Sequence, residues 1–290
     1  MLAFPNCKIN LGLQILNKRE DGFHNLATIF YPVQLKDVLE VIRRDDGLQI
    51  TDDHSTKLKT QNSELSFTSS GLEIAGDEQN NLCIKAYNLL KQDFPSLPPV
   101  QMHLHKAIPM GAGLGGGSSD GAFALKLLNE KFQLGLNTEQ LIIYALQLGS
   151  DCPFFILNKP CYATGRGEIL EPIDLDLSAY QFAIVNPGIH VHTGWAFEQF
   201  KIQSSDRLER PDLRKIIQQP ITTWKDHLKN DFEEVVAKQH LEIATTKQQL
   251  YDVGALYASM TGSGSTVFGI FEKEMKFDIK FEEDYFFRWV

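Results

Sequence analysis

The feature that most constrains this chain is the run Pro109-Met110-Gly111-Ala112-Gly113-Leu114-Gly115-Gly116-Gly117-Ser118-Ser119, with five glycines in the seven residues 111–117. Each glycine costs folding entropy, so such a run marks backbone that turns sharply or lets a ligand approach closely. It is framed by two regular segments. Apolar residues alternate from Val100 to Ile108, which predicts a strand, and Ala122, Ala124, Leu125, Leu127 and Leu128 recur at helical spacing across Asp120–Phe132. At the start of that helix the unpaired N–H groups and the positive end of the dipole would face the loop, a ready site for a phosphate. Ser118 and Ser119 add hydroxyls that can reach a phosphate or a cation riding on it.

Two familiar phosphate templates can be compared with the loop. The Walker pattern GxxxxGK[ST] is absent, because no Lys-Ser or Lys-Thr follows these glycines. Gly111-x-Gly113-x-x-Gly116 satisfies the dinucleotide-binding spacing, but a run this rich in glycine satisfies many templates. It also begins more than a hundred residues into the chain, Pro109 interrupts the strand-to-turn junction, and Glu130 falls inside the predicted helix, not at the end of a second strand. A hydride-transferring oxidoreductase is therefore the weaker reading.

The net charge of −9 opposes wholesale binding to nucleic acid or an anionic membrane, since both require a cationic field. No apolar run approaches the roughly 18 residues of a spanning helix, and Met1-Leu2-Ala3-Phe4-Pro5 does not read as a secretory signal. Cys7, Cys83, Cys152 and Cys161 form no CxxC pair, which suits reduced thiols in a cytoplasmic protein. The pairs His103/His105 and His190/His192 put two rings on one strand face each, but no third ligand accompanies them, so no protein-held metal is expected. Cys152 reads as a packing residue and not as a nucleophile.

Elsewhere, Cys7, Ile9, Leu11 and Leu13 alternate with Lys8, Asn10 and Gly12, predicting a strand with Lys8 and Asn10 on the face opposite the apolar one. Short strands are expected over Val38–Phe67 with a hairpin turn at Asp45-Asp46-Gly47, a helix over Asn80–Phe94, and another over Thr138–Leu148 capped by Asn137 or Thr138. Beyond Phe155 the pattern predicts strands over Cys161–Leu170, Gln181–Asn186 and Thr266–Phe271, and helices over Asp231–His240 and Ile243–Asp252. Scattered helical spacing runs through Leu208–Lys225. The fold class is α+β, with a domain boundary near residue 156 dividing 1–156 from 157–290 and a tail after Phe271 able to return to the first domain.

The glycine loop resembles the phosphate loop of the GHMP small-molecule kinases, whose shared form is Pro-x-x-x-Gly-Leu-Gly-Ser/Gly-Ser-Ser. Four further segments agree in order and spacing: Lys8-Ile9-Asn10-Leu11, Arg19-Glu20-Asp21-Gly22-Phe23-His24, Gly149-Ser150-Asp151-Cys152-Pro153-Phe154-Phe155 and Met260-Thr261-Gly262-Ser263-Gly264-Ser265. The resemblance implies a two-domain GHMP kinase fold, with a ribosomal S5 domain 2-like N-terminal domain and a ferredoxin-like C-terminal domain. It implies ATP as phosphoryl donor, with Mg²⁺ arriving on the nucleotide, and transfer to the 2-hydroxyl of 4-diphosphocytidyl-2-C-methyl-D-erythritol in the non-mevalonate route to isoprenoid precursors. Mevalonate-like or homoserine-like acceptors are the alternative within the fold. The Arg19–His24 segment favours the cytidyl acceptor, because a mevalonate-sized molecule needs no base-reading pair.

By the same resemblance, Lys8 and Asp151 are the catalytic pair. Pro109, Gly111, Gly113, Leu114, Gly115, Gly116, Gly117, Ser118 and Ser119 would hold ATP, together with Asn81 and Lys106. Asn10, Phe23, His24, Thr193 and Phe197 would hold the acceptor, with His24 reading the cytosine edge and the two phenylalanines stacking on its ring. Phe23 stands where many relatives carry tyrosine, which keeps the stacking surface and drops a hydroxyl.

Overall fold

The computed structural model describes residues 1–44, 64–200, 210–273 and 279–290. The chain opens with strands β1 (Leu2–Ala3), β2 (Asn6–Lys18), β3 (His24–Lys36), β4 (Val38–Arg43) and β5 (Leu65–Gly71). Helix α1 (Leu82–Asp93), strand β6 (Val100–Lys106) and helices α2 (Gly116–Phe132), α3 (Thr138–Leu148) and α4 (Cys152–Leu157) follow. Strands β7 (Cys161–Thr164), β8 (Ile169–Pro172) and β9 (Tyr180–Asn186) lead to helices α5 (Thr193–Gln199), α6 (Leu213–Ile216), α7 (Trp224–His227), α8 (Asp231–Gln239) and α9 (Leu241–Asp252). Strands β10 (Tyr257–Met260), β11 (Val267–Glu272) and β12 (Phe286–Trp289) complete it. The turn expected at Asp45-Asp46-Gly47 lies outside the described residues.

The chain divides into two units that interleave in sequence: Met1–Cys7, Leu35–Met110 and Gly115–Asn158 form the first, and Lys8–Gln34, Gly111–Leu114 and Lys159–Val290 the second. Residues 8–34 and 111–114 thus differ from an arrangement with one boundary near residue 156. The reason is strand pairing: β3 bonds to β7, with Thr28 opposite Ala163, so the early hairpin belongs to the later sheet.

In the first unit the sheet order is β1-β4-β6-β5, with β6 parallel to β5 and antiparallel to β4. The alternation read from Val100 onward buries Val100, Met102 and Leu104 on one face. His103 and His105 occupy the other, where the hydroxyls of Thr68 and Ser70 lie 2.8–3.0 Å from their ring nitrogens. Helix α3 starts as its sequence predicts. The Asn137 side chain accepts from Gln140 N–H while the Gln140 side chain accepts from Asn137 N–H, a reciprocal capping box.

The second unit contains two sheets, ordered β2-β3-β7-β8 and β10-β11-β9-β12. The single strand expected over Cys161–Leu170 is a hairpin, β7 paired antiparallel with β8. Helices α8 and α9 bury Phe232, Val236, Ile243 and Leu250 with Val185, Met260 and Phe271 in a continuous apolar core. The tail packs within this unit. Phe287 of β12 lies opposite Val185 of β9, and Trp289 meets Phe271 edge-on at 5.0 Å. Tyr285, Phe287 and Trp289 pack half-buried against the core of this unit.

Candidate active site

Strand β2 carries the first functional side chain. The apolar residues Cys7, Ile9 and Leu11 are buried as expected, but Lys8 and Asn10 on the opposite face are buried too, at 4% and 2% exposure. A buried ammonium requires partners, and Lys8 Nζ donates to Asn10 Oδ1 at 2.7 Å and lies 4.7 Å from the centre of the Phe30 ring. The Lys8 backbone N–H donates to the Leu114 carbonyl at 2.9 Å, which ties this strand to the glycine run.

Asn10, expected to meet the acceptor, is the hub of an internal network. Its Nδ2 donates to Thr28 Oγ1 at 2.9 Å, and that hydroxyl donates to the Gly12 carbonyl at 2.5 Å. This fixes the amide so that Oδ1 faces Lys8, and the same oxygen accepts from Gly262 N–H at 3.0 Å. Thr261 Oγ1 accepts from Asn10 N–H at 3.0 Å and lies 3.1 Å from Asn10 Oδ1 and 3.2 Å from the Gly113 carbonyl. Asn230 holds the segment from the other side, donating from Nδ2 to the carbonyls of Met260 and Gly262 at 2.7 and 2.9 Å.

Gly113 and Gly262 therefore meet backbone to backbone. A Cβ on Gly113, where φ is +78°, would stand 2.1 Å from the Thr261 carbonyl oxygen; one on Gly262 would stand 3.0 Å from Gly113 Cα. Gly111, also at positive φ, lies against the His190 ring.

The Arg19–His24 segment and α5 supply a cluster of aromatic rings in the same unit. His24 stacks on Phe197 with ring centres 4.6 Å apart and planes 9° from parallel, and Phe197 meets Phe232 edge-on at 4.8 Å. One face of Phe197 is thus covered by His24, not open for a second ring. Phe23 is more than half exposed, and the Arg166 guanidinium lies 5.0 Å from its ring centre. Burial, and then Lys18, lower the His24 pKa below its ordinary value. Thr193, the first residue of α5, lies hydroxyl to hydroxyl with Ser263 at 2.8 Å.

The start of α2 lies in the first unit. Gly115 caps that helix at φ +68°, a left-handed conformation that glycine adopts without penalty. Helix α2 begins at Gly116, four residues before the predicted Asp120, so Gly116, Gly117, Ser118 and Ser119 form its first turn. Ser119 is fully buried and its Oγ has no hydrogen-bond partner. Ser118 lies in hydrogen-bond contact with the Cys152 thiol, which burial pushes up to about 12, so Cys152 is inert at neutral pH.

Asp151 directly precedes α4 and makes no capping hydrogen bond to it, so helix capping does not account for the residue. Asn81 does cap a helix: its Oδ1 accepts from Cys83 N–H at 2.9 Å at the start of α1. The side chain of Lys106, expected at the nucleotide, is enclosed. It pairs with Asp37 and, at 2.8 Å, with Asp120, all three side chains being at most 4% exposed.

Sequence reasoning gave no role to Thr28, Asn230, Asp37, Asp120 or Arg166. Thr261 and Ser263 were visible only as members of a motif. Among the described residues no group of three His, Cys, Asp or Glu side chains could hold a metal ion, and no helix is long and apolar enough to cross a membrane.

Known proteins agree with this architecture. The sequence pattern of the GHMP kinases N terminal domain matches residues 81–159, and that of the GHMP kinases C terminal domain matches residues 211–280. The chain is 49% identical over 276 residues to 4-diphosphocytidyl-2-C-methyl-D-erythritol kinase of Bacteroides fragilis, covering 95% of this chain and 94% of that one. It superposes on a crystal structure of 4-(cytidine 5'-diphospho)-2C-methyl-D-erythritol kinase with a TM-score of 0.75 at 29% identity, covering 93% of this chain and 90% of that one. A mevalonate kinase structure gives a TM-score of 0.66 at 14% identity, covering 94% of this chain and 92% of that one, a likeness of fold alone. The chain is an ATP-dependent kinase and belongs to the GHMP kinase family.

Proposed function

We infer that the protein transfers the γ-phosphoryl group of ATP to the 2-hydroxyl of 4-diphosphocytidyl-2-C-methyl-D-erythritol, a step of the non-mevalonate route to isoprenoid precursors. The observation that carries this reading is the setting of Lys8. Its ammonium is buried and oriented by Asn10, and its backbone is bonded to Leu114 inside the glycine run. Phosphoryl transfer needs positioning and charge stabilisation more than covalent chemistry, and a fixed cation beside a phosphate loop supplies both. Asp151 accepts the proton of the attacking hydroxyl, which leaves the oxygen free to bond to phosphorus. The α2 N-terminus with Ser118 and Ser119 receives the triphosphate.

The cytidyl end falls to the aromatic cluster. Phe23 presents an exposed face to the pyrimidine, and His24, kept neutral by burial, offers one donor and one acceptor to the base edge. Phe197 then acts through His24, whose ring it supports. Mg²⁺ carried by ATP brings phosphate and water ligands of its own and needs few protein donors. Such an ion would neutralise charge on the β- and γ-phosphates, and Ser119 Oγ, buried and unpartnered in α2, would be available to it. The small-molecule chemistry and the net charge of −9 support a cytoplasmic enzyme that binds neither nucleic acid nor membranes.

The test is a phosphorylation assay with ATP on the cytidyl acceptor, mevalonate and homoserine in parallel, with phosphorus NMR locating the new ester. The expected result is a 2-phosphate on the cytidyl acceptor and at least ~100-fold lower kcat/KM on the other two, the discrimination expected when a polar recognition pair loses its ligand. Comparable turnover of mevalonate or homoserine would overturn the assignment.

A further inference from the structure

We propose that Asp37, Lys106 and Asp120 form a buried ionic clasp that presets the phosphate loop, making Lys106 a positioning residue for ATP and not one of its ligands. The proposal rests on the kinase reading above for what the loop binds, but not for the clasp itself.

The geometry closes the loop at both roots. Lys106 is the last residue of β6, and Asp120 lies one turn into α2, so their 2.8 Å contact joins the chain just before Pro109 to the chain just after Ser119. Asp37 secures the entry strand further. Its Oδ2 takes a hydrogen bond from Lys106 Nζ, while its Oδ1 accepts from the backbone N–H of Ala107 at 2.6 Å and of Ile108 at 2.9 Å. The Asp37 N–H itself is held by the Pro5 carbonyl at 2.8 Å. Gly116 seats the helix on this base, because a Cβ there would come within 2.9 Å of Ile108 Cγ2 and 3.3 Å of Lys106 Nζ.

A buried ion trio is a weak source of stability, since desolvation offsets much of the attraction. What it supplies is one defined arrangement of the groups that bond it. Fixing the two roots removes most of the conformational freedom of the intervening glycines before any nucleotide arrives, and preorganisation of that kind raises affinity without a new ligand contact. Burial pushes the Asp120 carboxyl up, against the opposing pull of Lys106. Burial also works against the Lys106 charge, but Asp120 and Asp37 outweigh it and keep the ammonium.

The test uses Asp120→Asn, which keeps shape and removes charge, alongside Lys106→Met and the double variant Lys106→Met/Asp120→Leu. The double variant keeps Lys106→Met interpretable, since it removes one of the two carboxylates left without a cation, while the Ala107 and Ile108 N–H groups still bond the other. Amide hydrogen exchange of the ATP-free protein is compared in peptides covering 109–119 and 257–272. In Asp120→Asn, exchange should rise about tenfold in 109–119 and less than about twofold in 257–272, as local opening predicts. KM for ATP should rise about tenfold with kcat and the acceptor KM within about threefold, and the double variant should lose no more than Asp120→Asn, since members of one network are not additive. Unchanged exchange in 109–119, an equal rise in both regions, or a further tenfold rise in ATP KM on removing Lys106 would overturn the clasp. If the cytidyl acceptor is not turned over, the kinase reading fails, and the exchange measurement still decides the clasp.

Discussion

At Asn10 the polar atoms of the side chain are committed to neighbours within the fold, and the effect falls on Lys8. The sequence placed both residues on one strand face correctly. It could not show that this face is also buried, because the partners, Thr28 and Thr261, lie 18 and 251 residues away. Lys106 is a similar case: its spacing before Pro109 was visible, while the carboxylates that enclose it carried no local signal. His24 was legible through the resemblance of the Arg19–His24 segment to the kinase family, and its environment gives it a pH dependence. Burial, then Lys18, hold the imidazole below the ordinary 6.5, so it is neutral at pH 7. Acid turns it into a double donor. The affinity it confers is therefore complete above the ordinary histidine value and lost as pH falls through the lowered one. KM for the cytidyl acceptor should rise about tenfold on acidification, the worth of one or two hydrogen bonds, and His24→Phe should flatten that profile while leaving the ATP profile unchanged. A pH dependence of acceptor KM that survives in His24→Phe would remove His24 from base reading.

Between elements, the two glycine segments explain each other. Glycine richness alone predicted close approach to a ligand, yet Gly113 is glycine because Thr261 and Gly262 lie against it. Gly113→Ala combines a 2.1 Å overlap with a left-handed φ. It should cost at least ~2 kcal/mol of stability, read as a drop in thermal midpoint. Gly117 differs: inside α2, its added Cβ would meet only Met110 Cε at 3.7 Å. Gly117→Ala should be neutral or stabilising by up to ~1 kcal/mol in the same melt. Equal destabilisation by both substitutions would contradict this division. Elements with strong local signals, such as α3 with its capping box, were read from sequence to the residue. Helix α4 was missed because Cys-Pro-Phe-Phe-Ile-Leu has no polar face to set a period. Helix α5 was missed because its cap is a histidine, His192, accepting from Trp195 N–H.

For the whole chain, α+β class and kinase chemistry were legible because five motifs agreed in order, which no single loop could have secured. The interleaving of the two units was not, since strand pairing between residues as distant as Thr28 and Ala163 leaves no trace in local periodicity. The tail was likewise ambiguous until β12 was seen to extend the sheet through β9. What the account claims of the molecule as a kinase converges on Asp151, which directly precedes Cys152, the thiol in contact with Ser118. The most direct measurement is turnover of the cytidyl acceptor by Asp151→Asn, with ATP affinity measured on the same sample. The expected result is a loss of at least ~1,000-fold in kcat, as for removal of a proton acceptor with its charge, with ATP affinity within about threefold of the unaltered enzyme. Near-normal turnover by that variant would contradict the account.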